Sequence, residues 1–309
     1  MNYIEALQQA NLKESWATIG AFDGVHIGHR TLFLKLVDGA RQDGCKAVAI
    51  TFEPLPALFF NRIKNGLVLT TLAQRVSLIK ALGIDEVIVL DFDQTIADVE
   101  AFPFLQQVHK AIGLRRLLSG FNSRIGKDQA GAVPKLQEIG QVLGFCVEVV
   151  PPVKNGQEII SSSNIRKLLK AGEITRANQF LGRPYALIGE VVHGEHRGSK
   201  LGIPTANLRL PAEQMLPASG VYACRASVGE LAFIAVTNVG IRPTFENPLP
   251  VPRVEPHLLD TSETFYGVNL ELEFFAFLRP EIKFPDAKAL VAQIQLDIQK
   301  TREYFANAA

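Results

Sequence analysis

The sequence predicts an α/β protein in two parts, a doubly wound parallel sheet followed by a small antiparallel β-barrel with a C-terminal helix. Three observations carry that expectation. From Ala17 to about Pro151, short β-branched runs alternate with longer amphipathic segments, the βαβ rhythm of a parallel sheet. Beyond Gly182 the rhythm changes to short alternating runs separated by Gly- and Pro-rich turns, as a barrel requires. The length of 309 residues also exceeds the usual single domain, so two domains are expected, 1–182 and 183–309.

In chain order, ATIGAFD reads as the first strand, HRTLFLKLVDGARQDG as the helix after it and KAVAITFEP as the second strand. QRVSLIKALG, DEVIVLDF, FLQQVHKAIG, RRLLSGF, KLQEIGQVLG and CVEVVPP continue the alternation. Ligands of such sheets bind beyond the carboxyl ends of the strands. SSSNIRKLLKAGEITRANQFLG is helical in rhythm, with Ser163 a candidate N-cap and Gly182-Arg183-Pro184 punctuating its end. YALIGEVVHG, GVYACRASVG, LAFIAVTNVG, PRVEPHLLD and NLELEFFAFLRP then read as barrel strands. DAKALVAQIQLDIQKTREYF places its apolar residues at helical spacing and should pack on the barrel.

Composition narrows the function classes. The chain is 47% apolar and 20% charged, ordinary values for a folded protein. Its 32 basic and 31 acidic residues leave a formal charge of +1, without the broad positive field that nucleic acid favours. Cys45, Cys146 and Cys224 lie far apart and match neither a disulfide framework nor a metal-ligand spacing, which suits reduced thiols of a cytoplasmic protein. MNYIEALQQANLKESW lacks the basic start and apolar run of an export signal. AVAITF and VIVLDF are far shorter than the roughly 20 residues of a membrane span, so no membrane partner is expected.

The strongest local feature of the first half is Gly20-Ala21-Phe22-Asp23-Gly24-Val25-His26-Ile27-Gly28-His29-Arg30, where a strand turns tightly into a helix. Glycines permit close backbone approach, a helix N-terminus offers unpaired N–H groups, and two imidazoles can donate to a developing negative charge. That combination suits phosphate chemistry.

FDGVHIGH together with ISSSNIR resembles the bacterial bifunctional riboflavin kinase/FMN adenylyltransferase (FAD synthetase) family, over nearly the whole chain. The resemblance implies an N-terminal Rossmann-like nucleotidyltransferase domain in which Gly20, Phe22, Asp23, Gly24 and Gly28 shape the nucleotide loop and His26 and His29 hold the ATP phosphates. It also implies that Ser162, Ser163 and Arg166 contact phosphate, the Arg fork suiting bidentate binding of an oxyanion. Two departures stand out. The family's Gly-x-Asp/Asn-Phe-x-Phe-Gly loop is here Gly120-Phe121-Asn122-Ser123-Arg124-Ile125-Gly126, which keeps Asn122 as a nucleotide contact but loses both later aromatics. TFEPLP keeps Phe52, Pro54 and Pro56 but has Leu55 where histidine is usual.

In the second half, Gly189-Glu190-Val191-Val192-His193-Gly194 leads to Leu201-Gly202-Ile203-Pro204-Thr205-Ala206-Asn207, which resembles the PTAN motif of riboflavin kinases. A hydroxyl and an amide oxygen two residues apart face one side of an extended chain, where Thr205 and Asn207 can share a hard cation, Mg2+, with the ATP phosphates. Gly194, Lys200 and Gly202 are the phosphate-side residues, with Arg197 a further cation and Ser199 standing where arginine is common. Asn238-Val239-Gly240-Ile241-Arg242-Pro243-Thr244-Phe245 and Val254-Glu255-Pro256-His257 are similar to further kinase motifs, and the resemblance assigns Glu255 as the base. His193 and His257 stay open between hydrogen-bonding and chemical roles.

The implied function is ATP-dependent phosphorylation of riboflavin to FMN, then adenylylation of FMN to FAD, with riboflavin, FMN and ATP as small-molecule partners. An alternative, motivated by Ser123, Ile125 and Leu55, is a riboflavin kinase with a weakened adenylyltransferase half. A flavin- or nucleotide-binding module without turnover is the third reading, and it leaves a base beside a metal site unexplained.

Overall fold

The computed structural model describes residues 3–62, 67–194, 202–244 and 247–308. By its internal contacts the chain divides into two compact units, 1–162 and 163–309.

The first unit opens with α1 (Tyr3–Gln9), β1 (Ser15–Ile19), α2 (Ile27–Gln42), β2 (Lys46–Glu53), α3 (Pro56–Phe59), α4 (Leu72–Lys80) and β3 (Glu86–Asp91). It continues through α5 (Gln94–Ala97), α6 (Ala101–Ile112), β4 (Leu114–Gly120), the short pair β5 (Arg124–Ile125) and β6 (Gly131–Ala132), α7 (Val133–Leu143) and β7 (Cys146–Val150). A second short pair, β8 (Lys154–Asn155) and β9 (Glu158–Ile159), closes it. The main sheet runs β3-β2-β1-β4-β7, all parallel, so the strand order reverses beside β1.

Both sheet faces are covered. α2 buries Leu32, Phe33, Leu36, Val37 and Ala40, one stripe at helical spacing. α4 starts on a capping box, the Thr71 hydroxyl accepting from the Gln74 amide while the Gln74 side chain accepts from the Thr71 amide. Trp16, the only tryptophan in the sequence, is nearly buried; its Nε1 donates to Asp43 Oδ2 at 3.1 Å and the Arg116 guanidinium lies 4.4 Å above the ring.

The second unit begins with α8 (Ser162–Lys170, starting at the boundary) and α9 (Ile174–Leu181), then β10 (Tyr185–Val192), β11 (Asn207–Arg209), β12 (Gly220–Val228), β13 (Leu231–Thr244), β14 (Asn247–Leu258), β15 (Asn269–Arg279) and α10 (Ala287–Ala308). Its six-stranded antiparallel sheet has the order β11-β10-β15-β12-β13-β14. The two ends nearly meet, the Ala206 amide donating to the Pro256 carbonyl at 2.9 Å, which gives the expected small barrel.

Two local expectations change. The single helix expected over the SSSNIR segment is two, broken at Gly172, and Ser163 lies inside the first turn of α8 instead of capping it. β11 and the short pairs β5–β6 and β8–β9 carry too few residues to show a period.

The contact division also falls earlier than Gly182. α9 buries Ile174, Ala177, Phe180 and Leu181 and packs on β15 and β10. Asn178 Nδ2 donates to Phe274 O at 2.7 Å while its Oδ1 accepts from the Tyr185 amide at 2.8 Å. The Leu169 carbonyl accepts from the Ala218 amide at 2.9 Å. We therefore propose that an autonomous second domain starts near 163. A fragment 163–309 should melt on the order of 10 °C above fragment 183–309, because losing a buried Phe and Leu and these hydrogen bonds costs several kcal/mol in a small domain. Equal melting of the two purified fragments by circular dichroism would contradict this.

Candidate active sites

The Gly20–His29 loop adopts a conformation its residues resist. Phe22 and Val25 have φ of 50° and 39°, and for β-branched Val25 that is a costly left-handed conformation. Asp23 explains how it is held. Its buried carboxylate accepts from the Leu69 amide at 3.0 and 3.1 Å, the Thr70 amide at 3.1 Å and the Thr70 hydroxyl at 3.3 Å. The Gly24 amide donates to the Thr70 hydroxyl at 3.0 Å, and the Ser162 hydroxyl donates to the Asp23 carbonyl at 2.8 Å.

His26 then caps α2, its Nδ1 accepting from the His29 amide at 3.3 Å. An accepting Nδ1 places the proton of the neutral ring on Nε2. The two imidazoles stack with centroids 3.7 Å apart, and Phe22 meets His29 edge-on at 5.4 Å. Gly28 permits the stack, since a Cβ there would come within 3.2 Å of the His26 ring. Burial, and then the neighbouring His26, hold His29 well below the usual imidazole pKa. Its Nδ1 is buried and has no hydrogen-bond partner among the described residues.

These groups border a cavity of about 570 Å³ beyond the carboxyl ends of β1, β2, β3 and β4. Gly20, Phe22, Asp23, His29, Asn122 and Ser162 line it. Another part of the wall is aromatic: Phe52, Phe60 and Phe92 face the cavity, with the Phe92 ring 5.5 Å from Phe52 and 5.8 Å from Phe60. Fully buried Arg75 fixes the end of β2 by donating Nη2 to the Phe52 carbonyl at 2.9 Å and to Glu53 Oε2 at 2.7 Å.

The second unit holds a separate cavity of about 310 Å³. Gly194, Thr205, Asn207, Asn238, Glu255 and His257 form its polar lining. Asn238 and Glu255 are direct cross-strand partners on β13 and β14, and Arg253, two residues before Glu255, forms an ion pair with it. Gly194 lets Asn207 lie close, because a Cβ at 194 would sit 2.2 Å from its amide nitrogen. His257 Nδ1 bonds the Pro204 carbonyl at 2.6 Å, so its ring braces the segment that presents Thr205. His193 stacks on Tyr266 with centroids 3.9 Å apart. Ile282, Phe284, Leu290 and Ile294, from the segment after β15 and from α10, form an apolar lining.

Residues 8–164 match the FAD synthetase family and residues 181–305 the Riboflavin kinase family, the first on the parallel-sheet unit and the second on the barrel. The chain belongs to the bifunctional riboflavin kinase/FMN adenylyltransferase family. Proteins of that description from Haemophilus influenzae and Escherichia coli are similar to it at 34% and 33% identity, covering 99% and 98% of this chain and 99% and 96% of theirs. One from Listeria monocytogenes is 32% identical over 93% of this chain and 91% of its own. A crystal structure of a Streptococcus pneumoniae protein described as a macrolide-efflux protein shares the fold, with a TM-score of 0.87 and 30% identity over 96% of this chain and 97% of that one. No helix among the described residues is long and apolar enough to cross a membrane.

The structure thus gathers Gly20, Phe22, Asp23, His29, Asn122 and Ser162 around the cavity at the sheet end, with His26, Gly24 and Gly28 building the loop behind His29. Ser163 and Arg166 follow on α8, in the stretch counted with the second unit. Gly194, Thr205, Asn207 and Glu255 share the barrel cavity, and Gly202, with φ of 74°, turns the chain just before Ile203. Lys200, Arg197, Ser199 and Phe245 lie outside the described residues. Sequence reasoning missed the aromatic wall and the Leu69–Thr70 clamp; the paired phenylalanines at 59 and 60 were the available signal for the first.

The lowered pKa of His29 has a consequence for stability. Below the unfolded pKa of about 6.5 the unfolded chain binds a proton at His29 that the folded chain refuses, so stability is lost as pH falls from there toward the lowered folded value. His29→Gln should flatten the decline in urea midpoint of the first unit between about pH 7 and pH 5. Equal declines for variant and wild type would show that His29 is not held neutral.

Proposed function

We propose that the chain phosphorylates riboflavin to FMN in the barrel cavity and adenylylates FMN to FAD in the cavity at the sheet end, using ATP in both. The observation that carries this reading is that each cavity lies on the matching family domain: His29, stacked on His26, lines one, and Glu255 lines the other together with Thr205 and Asn207.

In the adenylyltransferase site, His29 stands at the cavity wall, where a phosphate oxygen of ATP would meet its ring. Held neutral, His29 offers an N–H without a charge of its own, and His26 completes a donor pair for the charge that grows on the α-phosphate and departing pyrophosphate. Gly20, Phe22, Gly24, Gly28, Asn122 and Ser162 serve the nucleotide, and Asp23 acts by holding the loop. The aromatic wall suits the flat ring of the flavin. Ser123, Ile125 and Leu55 bring no charged group into the site: Leu55 is a buried core residue, while Ser123 and the nearly buried Ile125 line the cavity. No observation favours a weakened adenylyltransferase.

In the kinase site, Glu255 orients the terminal ribityl hydroxyl and takes its proton, while Arg253 fixes the carboxylate. Thr205 and Asn207 offer hard oxygen donors to Mg2+. The described residues contain no cluster of three His, Cys, Asp or Glu able to hold a metal, so a cation here depends also on ATP oxygens. Mg2+ would supply charge neutralisation at the γ-phosphate. Gly194, Lys200 and Gly202 complete the phosphate side. Free Cys45, Cys146 and Cys224 suit a cytoplasmic setting.

Glu255→Gln should lower FMN formation from riboflavin by roughly 10²–10⁴-fold while supplied FMN still becomes FAD. His29→Ala should lower FAD formation by about 10²–10³-fold while riboflavin phosphorylation continues and FMN accumulates. Chromatography of flavins from each variant, started from riboflavin and from FMN, checks both; loss of adenylylation in folded Glu255→Gln would refute the assignment. Excess EDTA should stop both reactions, and full turnover in its presence would remove Mg2+ from the account.

A further inference from the structure

One lining element of the kinase cavity has no part in the chemistry above. Arg279, the last residue of β15, grips Asp297 on α10 with both Nε, at 3.1 and 3.0 Å from Oδ1 and Oδ2, and Nη2, at 2.8 Å from Oδ2. Gln293, one turn earlier on α10, donates to Asp297 Oδ1 at 3.0 Å. Asp297 is 1% exposed and Arg279 16%.

A pair so buried is a poor source of stability, because desolvating both charges offsets their attraction, and apolar residues of similar volume often do as well or better. Its use lies in what the guanidinium does next. Nη1 donates to the Pro280 carbonyl at 3.1 Å, and the group lies 5.8 Å over the Phe284 ring. One cation therefore touches both ends of the 280–284 segment, which supplies Glu281, Ile282 and Phe284 to the cavity. Within that segment Glu281 accepts from Asn238 Nδ2 at 3.2 Å, and Asn238 is the cross-strand partner of Glu255. The segment is thus registered to the barrel at its middle and to α10 through Arg279.

We propose that Asp297 is a positioning residue for riboflavin: acting through Arg279, it fixes the 280–284 segment as the wall against which the isoalloxazine ring lies during phosphorylation. The role rests on the kinase reading of the barrel. Ile282 and Phe284, with Leu290 and Ile294 of α10, give that wall the apolar character a flat aromatic ring requires. Thr205, Asn207 and Glu255 stand on barrel segments that do not depend on the pair. Loosening the wall should therefore weaken flavin binding and leave phosphate handling and the base intact.

The test is the double variant Arg279→Met/Asp297→Leu in the full chain, which replaces the pair with apolar side chains of similar size. Its melting temperature should stay within a few degrees of wild type. The KM for riboflavin should rise at least about tenfold. The KM for ATP, kcat at saturating riboflavin and adenylylation of supplied FMN should each stay within about threefold. Riboflavin titration followed by flavin fluorescence should show the same loss of affinity. Arg279→Lys keeps the charge but loses the fork, and should give the same KM split if the double variant does not fold. A folded, active variant with an unchanged riboflavin KM, or one with lower kcat and melting temperature alone, overturns the proposal. Wild-type protein that makes no FMN would instead refute the kinase reading beneath it.

Discussion

The Asp23 carboxylate is buried, and a buried carboxylate must be met by donors or lose its charge. Leu69 and Thr70 meet it with their amides, and the Thr70 hydroxyl also accepts from Gly24. That bond set secures a loop in which Phe22 and Val25 carry left-handed backbone angles, each costing on the order of 1–3 kcal/mol. The rest of the first site follows in sequence. With the loop held, His26 reaches the N-cap of α2, its ring stacks on His29, and His29 is set at the cavity wall with its pKa lowered. Losing the Asp23 clamp would therefore act on both histidines without touching either.

The kinase site has a different origin. It gathers where the barrel nearly closes, along the seam between the PTAN segment and β14. The Ala206 amide and the His257 ring tie that segment to β14 through Pro256 and Pro204. Both bonds lie beside residues that line the cavity, so barrel closure and placement of Thr205 and Asn207 are one event. The register of β13 and β14 does the same for Asn238 and Glu255, since a slip of one residue would turn Glu255 to the other face.

Much of this was legible in the sequence because it is local. The βαβ alternation gave all five strands of the main sheet, and the Gly- and Pro-punctuated runs gave five of the six barrel strands within a few residues. The loop from Gly20 to His29 and the PTAN segment were legible because their turns and caps are encoded by neighbours. The unread parts depend on partners far along the chain. The aromatic wall joins Phe52, Phe60 and Phe92 from separate elements. Arg279 and Asp297 look like solvated charges on a strand and a helix until folding brings them together. Ser163 misled for a subtler reason: in a run of three serines each can cap, and only the start of α8 decides which lies inside.

The placement of Trp16 gives the protein a built-in optical reporter. It is the only indole in the sequence and lies wholly within the parallel-sheet unit, packed beneath Arg116 and bonded to Asp43. Tyr185, Tyr222, Tyr266 and Tyr304 belong to the barrel unit. Emission excited selectively through the indole follows the melting of the nucleotidyl-transfer half alone, while tyrosine emission is weighted toward the other half. The order in which the halves of the intact chain lose structure can thus be followed without cutting or labelling it.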